Sequence, residues 1–506
     1  MQLAMSKITL STLNARYIHS SLGLRYLLAN MGTLIENTHI REFNINARPI
    51  DIVETLLFSQ PDIIGFGIYI WNIEQTTEVI KLIKTVSPQT KIIIGGPEVS
   101  YEYLDEEVFK YADYLITGAA DLAFAELCQS ILNGCVPSEK VIQATPPALE
   151  LLELPYSCYT DEDIANRIIY VEASRGCPFK CEFCLSALDK TAIAFDLDLF
   201  LNEMQSLYQR GARHFKFVDR TFNLKVSSSI KILNFFLEKL EKDDLFLHFE
   251  LIPDHLPDKL KALISKFPDH SLQFEIGIQS LNPTVQQLIS RKQDTGKTRL
   301  NLEWLYNNSN AHIHADLIIG LPGEDIESFS KGFDLLVAMK PDEIQVGILK
   351  RLKGTPIIRH TNEFDLRFNP CPPYNILSNN LIKFTDMQKM QRFARYWDMI
   401  ANSGRFSNSM PFILGETPFN NFMRMSEWLF NETGQTHKLA LERLFKLVYQ
   451  AMTEKLQLDS DSSEEHLLID FNRSGIKGKP CFSNSHNIGV NRHKAKIAQR
   501  QKQHLH

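Results

Sequence analysis

The stretch RIIYVEASRGCPFKCEFC, residues 167–184, gives the strongest indication of how the central part of this chain folds. Its first seven residues form a β-strand-like run, and the rest contains a glycine and a proline, as loops commonly do. Within that loop, the thiols of Cys177, Cys181 and Cys184 fall in the spacing CxxxCxxC. The sequence therefore predicts a strand that delivers three cysteines to one loop.

The number of cysteines in this loop indicates what they bind. Three thiolates on one loop reach three corners of a [4Fe–4S] cube, and a closed site normally takes four, so the fourth iron stays open to a small-molecule ligand. The alternatives are a structural zinc site and metal-free thiols. Zinc sites take four ligands, usually as two pairs, and the chain has no second CxxC or HxxxH pair. Three cysteines in a short loop also make a poor core.

Strand-like and helical patterns alternate through the region that contains this loop. Six β-rich runs are separated by segments with helical periodicity, an order that favours a barrel. Function in such barrels gathers at the carboxyl ends of the strands, so the polar and glycine residues that follow these runs are site candidates. The runs are residues 167–173, 214–218, 245–250, 272–278, 312–319 and 343–349.

The part of the chain before the cysteine loop reads as a separate α/β domain. Its apolar runs are continuous rather than alternating, as in strands buried on both faces of a parallel sheet, which predicts a doubly wound, Rossmann-like fold. Ligands bind such sheets beyond the carboxyl ends of the strands, although tight turns without a ligand are the plain alternative. The five strand-like runs are residues 7–13, 39–44, 62–69, 91–94 and 113–116.

Length and composition restrict the class of protein. The 506 residues are enough for roughly three or four domains. A formal charge of −6 lacks the basic field that holds nucleic acids, so nucleic acid is not the expected partner. No apolar run is long enough to span a bilayer, and no secretory pattern is found at the start. We therefore expect a cytoplasmic protein without a membrane anchor, whose eight cysteines are free thiols or metal ligands.

The cysteine loop, with aromatic Phe183 directly before its last cysteine, resembles the cluster loop of radical S-adenosylmethionine (SAM) enzymes. The six βα units resemble the partial (β/α)6 barrel of that family. The resemblance implies that Cys177, Cys181 and Cys184 hold a [4Fe–4S] cluster whose open iron is chelated by SAM. One electron from the reduced cluster then cleaves SAM to methionine and a 5′-deoxyadenosyl radical, which requires an electron donor such as flavodoxin or ferredoxin.

The same resemblance implies which residues hold SAM. Asp219 follows the second strand, where family members contact the methionine end, although the usual Gly-Gly-Glu is absent here. The fourth-strand segment corresponds to the ribose side and the fifth to the adenine side, whereas Arg291 is expected near the carboxylate. Inner-barrel polar pairs and an ordinary strand-to-helix turn are the alternatives. The expected SAM contacts are Phe183, Asp219, Glu275, Gly277, Gln279, Ser280, Arg291, Asp316 and Gly320.

A parallel domain directly before such a barrel is similar to the first domain of cobalamin-binding radical SAM enzymes, which implies cobalamin as a second cofactor. The loop Asp-x-His-x-x-Gly that supplies a histidine to cobalt is missing, because the chain reads Asn14–Ser21 there. The loop at Gly118 also lacks the usual Gly-Glu-Gly-Glu. The expected cobalamin contacts are Asn14, Tyr17, His19, Tyr69, Trp71, Gly95, Gly96, Pro97 and Gly118.

The chain changes character after residue 360. A proline-rich break at residues 369–374 precedes helical runs at 385–402 and 438–455. This region resembles the uncharacterised C-terminal domain (DUF4080-like) of one subgroup of these proteins. The predicted parts are a cobalamin-binding-like α/β domain (1–145), a linker (146–165), the partial barrel (166–358), a mainly helical domain (359–456) and a polar tail (457–506) in which residues 466–471 are also compatible with a strand.

The function implied by these resemblances is radical SAM chemistry on a small-molecule substrate, with cobalamin passing a methyl group to an unactivated carbon. Radical rearrangement or oxidation without methyl transfer is one alternative, and a non-catalytic iron–sulfur or corrinoid sensor is another. A tRNA methylthiotransferase would need a second cluster in the first domain. Cys128, Cys135 and Cys158 are available for it, but Cys128 lies on an amphipathic helix and Cys135 at its end, away from the strand ends, which argues against that function. No catalytic acid or base is assigned.

Overall fold

The computed structural model describes residues 8–135, 137–189, 191–476 and 480–482. These residues form two compact units. The first contains the described residues up to Glu250, with Arg351–Pro356 and Pro370–Tyr374. The second contains Leu251–Lys350, Ile357–Asn369 and the described residues from Asn375 onwards. No helix in these ranges is long and apolar enough to cross a membrane.

A six-stranded parallel sheet forms the amino-terminal part of the first unit. Its strands are β1 (Ile8–Asn14), β2 (Thr38–Asn44), β3 (Ile63–Gly67), β4 (Lys91–Gly95), β5 (Tyr114–Gly118) and β6 (Val141–Ala144). They run in the order β2-β1-β3-β4-β5-β6, which confirms the doubly wound fold. The sequence did not predict β6, because this strand is short and only partly buried, and therefore lacks a continuous apolar run.

Five helices cover the two faces of this sheet and enclose two cores. They are α1 (Leu22–Ala29), α2 (Pro49–Leu57), α3 (Ile73–Val86), α4 (Glu107–Tyr111) and α5 (Ala123–Leu132). Ile52, Ile80 and Val108 place α2, α3 and α4 in one core. Leu24 and Leu127 place α1 and α5 in the other. Burial of the strands on both faces explains their continuous apolar runs.

The rest of the first unit contains the cysteine loop and the first strands of the predicted barrel. Its elements are α6 (Asp161–Asn166), β7 (Ile169–Val171), β8 (Ser174–Gly176), β9 (Ala192–Ala194), α7 (Leu197–Gln209), β10 (His214–Phe217), α8 (Val226–Leu240) and β11 (Phe246–Leu251). Strands β7, β10 and β11 are parallel in that order, and β8 pairs with β9 as an antiparallel hairpin. The first three predicted barrel strands are therefore present.

The second unit contains the other three predicted strands. They are β12 (Leu272–Gln279), β13 (His312–Ile319) and β14 (Glu343–Ile348), which are parallel in that order. The helices beside them are α9 (Asp258–Ile264), α10 (Pro283–Leu288), α11 (Thr295–Asn308) and α12 (Ile326–Ala338). All six predicted strands are thus observed close to their expected bounds.

The carboxyl-terminal part of the second unit is mainly helical. Its elements are α13 (Thr361–Phe364), β15 (Arg367–Phe368), β16 (Ile376–Ser378), α14 (Phe384–Ile400), α15 (Met410–Leu414), α16 (Pro418–Thr433), α17 (Leu441–Gln450) and α18 (Ser460–Arg473). Aromatic packing joins it to α12, since the Phe333 ring lies 4.7 Å from that of Trp397 and 5.2 Å from that of Phe393.

Residues 466–471 belong to a helix, so the strand considered for them is wrong. They lie within α18, whose first turn is capped by the Asp459 carboxylate accepting a hydrogen bond from the Ser462 amide. The buried residues of this helix, Ser463, Leu467, Asp470 and Phe471, have the i, i+4, i+7, i+8 spacing that places them on one helix face, whereas buried strand positions alternate.

Candidate functional site

The three cysteines lie in a loop whose ends are joined by the β8–β9 hairpin. Ser174 pairs with Ala194 and Gly176 with Ala192 across that hairpin. Gly176 has a φ of +93°, and a Cβ placed on it would lie only 2.1 Å from the Thr191 carbonyl oxygen. Only glycine suits this position, so the loop begins in a fixed direction directly before the first cysteine.

The thiols of the loop lie near one another and suit an iron–sulfur cluster. Cys177 and Cys181 are buried and Cys184 is partly exposed. The Cys184 amide donates to the Cys181 carbonyl over 3.0 Å, which closes a tight turn between them. Burial raises the pKa of Cys177, and the neighbouring Cys184 and Cys181 raise it further. Three soft thiols on one short loop match the three-ligand set expected for an open cluster.

Asp219 holds the strand that leads into this loop. Its carboxylate accepts hydrogen bonds from the Ala173 amide at 3.0 Å and the Ser174 hydroxyl at 2.6 Å. The residue is 2% exposed. Its neighbour Arg220 pairs with Glu250 at 2.8 Å. The structure therefore gives Asp219 a positioning role beside the cysteine loop, and its contact with SAM stays a prediction.

Burial raises the pKa of Asp219 from 3.8 to about 7, against the hydrogen bonds from Ser174 and Ala173 that lower it. Between these two values the folded protein binds more protons at this residue than the unfolded chain does. The free energy of unfolding therefore falls as the pH rises from about 4 to about 7. Asp219→Asn removes this term, so the wild type should lose stability relative to the variant over that interval in urea denaturation of cluster-free protein. A stability difference independent of pH would contradict the assignment.

In the second unit, polar residues on one face of two neighbouring strands come together. Glu275 on β12 is paired in register with His314 on β13, and Gly277 is paired with Asp316. Ligand-type atoms of Glu275, His314 and Asp316 lie within 4.8 Å of one another. His314 is 1% exposed. The sequence analysis missed His314, although the period-two alternation with Asp316 was the signal that would have found it.

The predicted ribose-side residues and Arg291 are also close to one another in the second unit. The Arg291 guanidinium donates to the Gly277 carbonyl, and a Cβ on Gly277 would lie 2.5 Å from the Gln279 amide nitrogen. The Ser280 hydroxyl donates to Glu324 at 2.6 Å. Burial raises the pKa of Glu324 to about 7 although that hydrogen bond lowers it. Glu324 is thus a further buried carboxyl group that the sequence analysis did not select.

The two remaining predicted SAM contacts, Phe183 and Gly320, lie in the cysteine loop and at the end of β13. Phe183 is partly buried in the cysteine loop. Gly320 directly follows β13 and packs against the Ile376 side chain, to which an added Cβ would lie 2.6 Å. The assignment of Phe183 and Gly320 to SAM stays a prediction.

The first unit contains a cavity of about 300 Å³ at the carboxyl ends of its sheet strands. Strands β3, β4 and β5 end on Gly67, Gly95 and Gly118, all of which line it. At Gly96, with a φ of +109°, an added Cβ would lie 2.5 Å from the Ile68 carbonyl oxygen. Backbone without side chains therefore forms one wall, which lets a large flat group approach closely. This arrangement fits the strand-end cradle expected for cobalamin.

Four of the nine predicted cobalamin contacts line this cavity, and five do not. Tyr69, Gly95, Gly96 and Gly118 line it. The Trp71 ring stacks on Tyr69 at 4.5 Å, and Pro97 follows Gly96. The lining residues that the sequence analysis missed include Gly23, Tyr26, Ala119, Asp121 and Arg175.

The first loop, expected near cobalt, makes contacts within the protein. Asn14 donates to the His19 carbonyl and to Glu42, each at 2.9 Å. Tyr17 donates to Glu162 at 3.0 Å. His19 Nδ1 lies 2.7 Å from the Tyr170 hydroxyl, and burial lowers its pKa, helped by Lys216. None of the three lines the cavity, so their contact with cobalamin rests on the resemblance alone.

The cysteines that a second cluster would require are placed differently from the loop cysteines. Cys128 is fully buried in the apolar core beneath α5, and burial raises its pKa to about 12. Cys135 is exposed after that helix. This is the placement expected from the sequence, and it gives no support to a second cluster at these residues.

Three family models match successive parts of the chain. The B12 binding domain matches residues 8–128, the Radical SAM superfamily residues 171–336, and a protein family of unknown function, DUF4080, residues 362–505. The chain is 25% identical over 330 residues to the cobalamin-dependent radical SAM methyltransferase TokK of Streptomyces tokunonensis, covering 59% of this chain and 48% of that protein. It is 22% identical to an uncharacterized methyltransferase of Pyrococcus horikoshii, covering 79% of this chain and 88% of that protein.

Solved structures share the fold. The cobalamin-dependent SAM radical enzyme OxsB matches 92% of this chain and 78% of its own with a TM-score of 0.62 at 14% identity. The methyltransferase TsrM of Kitasatospora setae matches 73% and 80% with a TM-score of 0.58 at 15% identity. The chain spans about half the length of two of the curated relatives it matches, at 48% each. The chain is a radical SAM protein with a B12-binding domain before its radical SAM domain and a DUF4080 region after it.

Proposed function

We propose that this protein is a radical SAM enzyme that cleaves SAM reductively and uses cobalamin to transfer a methyl group to a small-molecule substrate. One observation carries the proposal: the three-cysteine loop and the glycine-walled cavity lie in one compact unit, where Arg175, two residues before Cys177, also lines the cavity. A cluster in the loop and a corrinoid in the cavity would therefore be linked through this one side chain.

In this proposal, the residues of the first unit have the following roles. Cys177, Cys181 and Cys184 would hold the cluster, and the backbone at Gly67, Gly95 and Gly118 would face the corrinoid. With its cofactors bound, the protein would have a deoxyadenosyl radical for removing hydrogen and a cobalt-carried methyl group for transfer. Asp219 would hold the direction of the loop, because its carboxylate fixes Ala173 and Ser174. The cavity's apolar wall would exclude water from the corrinoid face.

A cluster of polar residues in the second unit would bind a small molecule. Glu275, His314 and Asp316 are the kind of groups that orient SAM, or a polar substrate beside it, by hydrogen bonds. An electron donor such as flavodoxin or ferredoxin would reduce the cluster, and the thiol ligands would be best protected in a reducing cytoplasm.

The test is anaerobic reconstitution with iron and sulfide, followed by SAM and dithionite. We expect 5′-deoxyadenosine from cluster-loaded protein. We also expect S-adenosylhomocysteine, but only when the protein has retained a corrinoid after desalting. Deoxyadenosine without corrinoid-dependent S-adenosylhomocysteine would favour rearrangement or oxidation. If fully loaded protein forms neither of these two products, the result contradicts the proposal and favours a sensor.

A further inference from the structure

Arg175 is held by elements from three parts of the first unit. It lies in the middle of β8, directly before the cysteine loop. Its guanidinium donates to both oxygens of Asp121 at 3.1 Å and to Glu172 at 2.7 Å. The guanidinium carbon lies 4.7 Å from the centre of the Tyr26 ring. Asp121 follows β5, Glu172 follows β7 and Tyr26 lies on α1, so this one side chain connects the sheet domain with the cysteine loop.

Arg175 and two of these partners form part of the cavity wall. Tyr26, Asp121 and Arg175 all line the cavity, and Asp121 and Arg175 are its only charged lining residues among those described. Their side chains are only 10% and 25% exposed. A group that fills the cavity displaces water from beside this ion pair, which strengthens the pair because the local dielectric falls.

We propose that Arg175 is a positioning residue that couples the two cofactor sites, so that filling the cavity and assembling the cluster in the loop favour each other. A corrinoid in the cavity fixes Arg175 and with it the strand that starts the cysteine loop. A cluster fixes that loop and thereby prepares the cavity wall. Coupling of this kind is reciprocal by thermodynamic necessity. The inference rests on the proposed cofactors, but it predicts an affinity change rather than catalysis.

The experiment measures the affinity for aquacobalamin by anaerobic equilibrium dialysis, without SAM, in cluster-loaded protein and after removal of the cluster with a chelator. In the wild type we expect cluster removal to weaken corrinoid binding about tenfold, within the usual range of coupling between sites. Arg175→Lys keeps the charge but cannot span both carboxylates. In this variant, cluster removal should weaken corrinoid binding less than about threefold, because the coupling between the two sites is reduced.

Two controls separate coupling from general damage. Arg48→Gln removes an exposed arginine of the same unit that forms an ion pair with Asp51 in the first turn of α2. In this variant, cluster removal should weaken corrinoid binding as much as in the wild type. In the reciprocal measurement, bound corrinoid should slow the loss of iron to the chelator in wild type and Arg48→Gln but not in Arg175→Lys. The coupling would be overturned if the wild type bound corrinoid equally well with and without the cluster. It would also be overturned if cluster removal weakened corrinoid binding as much in Arg175→Lys as in the wild type. Wild type that binds no corrinoid in either state would instead refute the cobalamin part of the proposed function, and the coupling with it.

Discussion

Replacing any one of Cys177, Cys181 and Cys184 with alanine is expected to reduce deoxyadenosine formation to background. Each thiolate supplies one of only three protein ligands, so a cluster held by the remaining two is lost or loses the iron that SAM must reach. These variants should remain folded, because the β8–β9 hairpin and Asp219, rather than the thiols, set the direction of the loop. The measurements are iron and sulfide per chain and deoxyadenosine per hour after identical reconstitution.

Cys135→Ala is the matched control for these variants. Cys135 is an exposed thiol of the same unit, away from the loop, and its removal should leave cluster content and turnover unchanged. Far-UV circular dichroism should be the same for all four variants. Full iron content and full deoxyadenosine formation in a Cys177, Cys181 or Cys184 variant would show that these thiols do not hold the reactive cluster.

Gly23→Leu is expected to abolish corrinoid retention while leaving the protein folded. Gly23 is exposed at the mouth of the cavity, and a Cβ there would lie 3.6 Å from the Tyr69 hydroxyl, so a leucine side chain would occupy space that the corrinoid requires. Gly23 is the second residue of α1, and leucine is a better helix former than glycine by less than about 1 kcal/mol. We therefore expect unchanged or slightly raised stability, and a corrinoid affinity lower by at least about tenfold, or 1.4 kcal/mol.

Gly296→Leu provides the same substitution at the same helical position outside the cavity. Gly296 is the second residue of α11 in the second unit, and it is exposed. This variant should bind corrinoid like the wild type in absorption measurements after desalting. Deoxyadenosine formation without added corrinoid should be similar in both variants, because neither change touches the cysteine loop. Normal corrinoid retention by Gly23→Leu would mean that the corrinoid does not use this cavity.

The sequence predicted the strands of both sheets well because their signals are local. Continuous apolar runs such as Ile92-Ile93-Ile94 require burial on both faces, and only a parallel sheet between helices provides it. The cysteine spacing is local too. Strand β6 was not predicted, because a four-residue strand at the edge of a sheet has little hydrophobic periodicity. Residues 466–471 were ambiguous, because a short apolar run is compatible with a strand or with a helix.

The candidate site was predicted less completely because its key contacts join distant parts of the chain. Arg175 meets Asp121, 54 positions earlier, and Ser280 meets Glu324, 44 positions later. No pattern within a short window reports such pairs. Likewise, Asn14 and His19 were selected as cobalamin contacts from their position at the end of a strand, and the sequence did not indicate that they also contact Glu42 and Tyr170. Only the packing of whole elements decides between those roles.

The most direct test of the account is electron paramagnetic resonance of the reduced, reconstituted protein before and after SAM is added. The central claim is that three thiolates leave one iron of a [4Fe–4S] cluster open to SAM. The account predicts a reduced-cluster signal whose g values shift when SAM binds, and no such signal in Cys177→Ala. A cluster signal indifferent to saturating SAM, or protein that takes up zinc and forms no cluster, would contradict it.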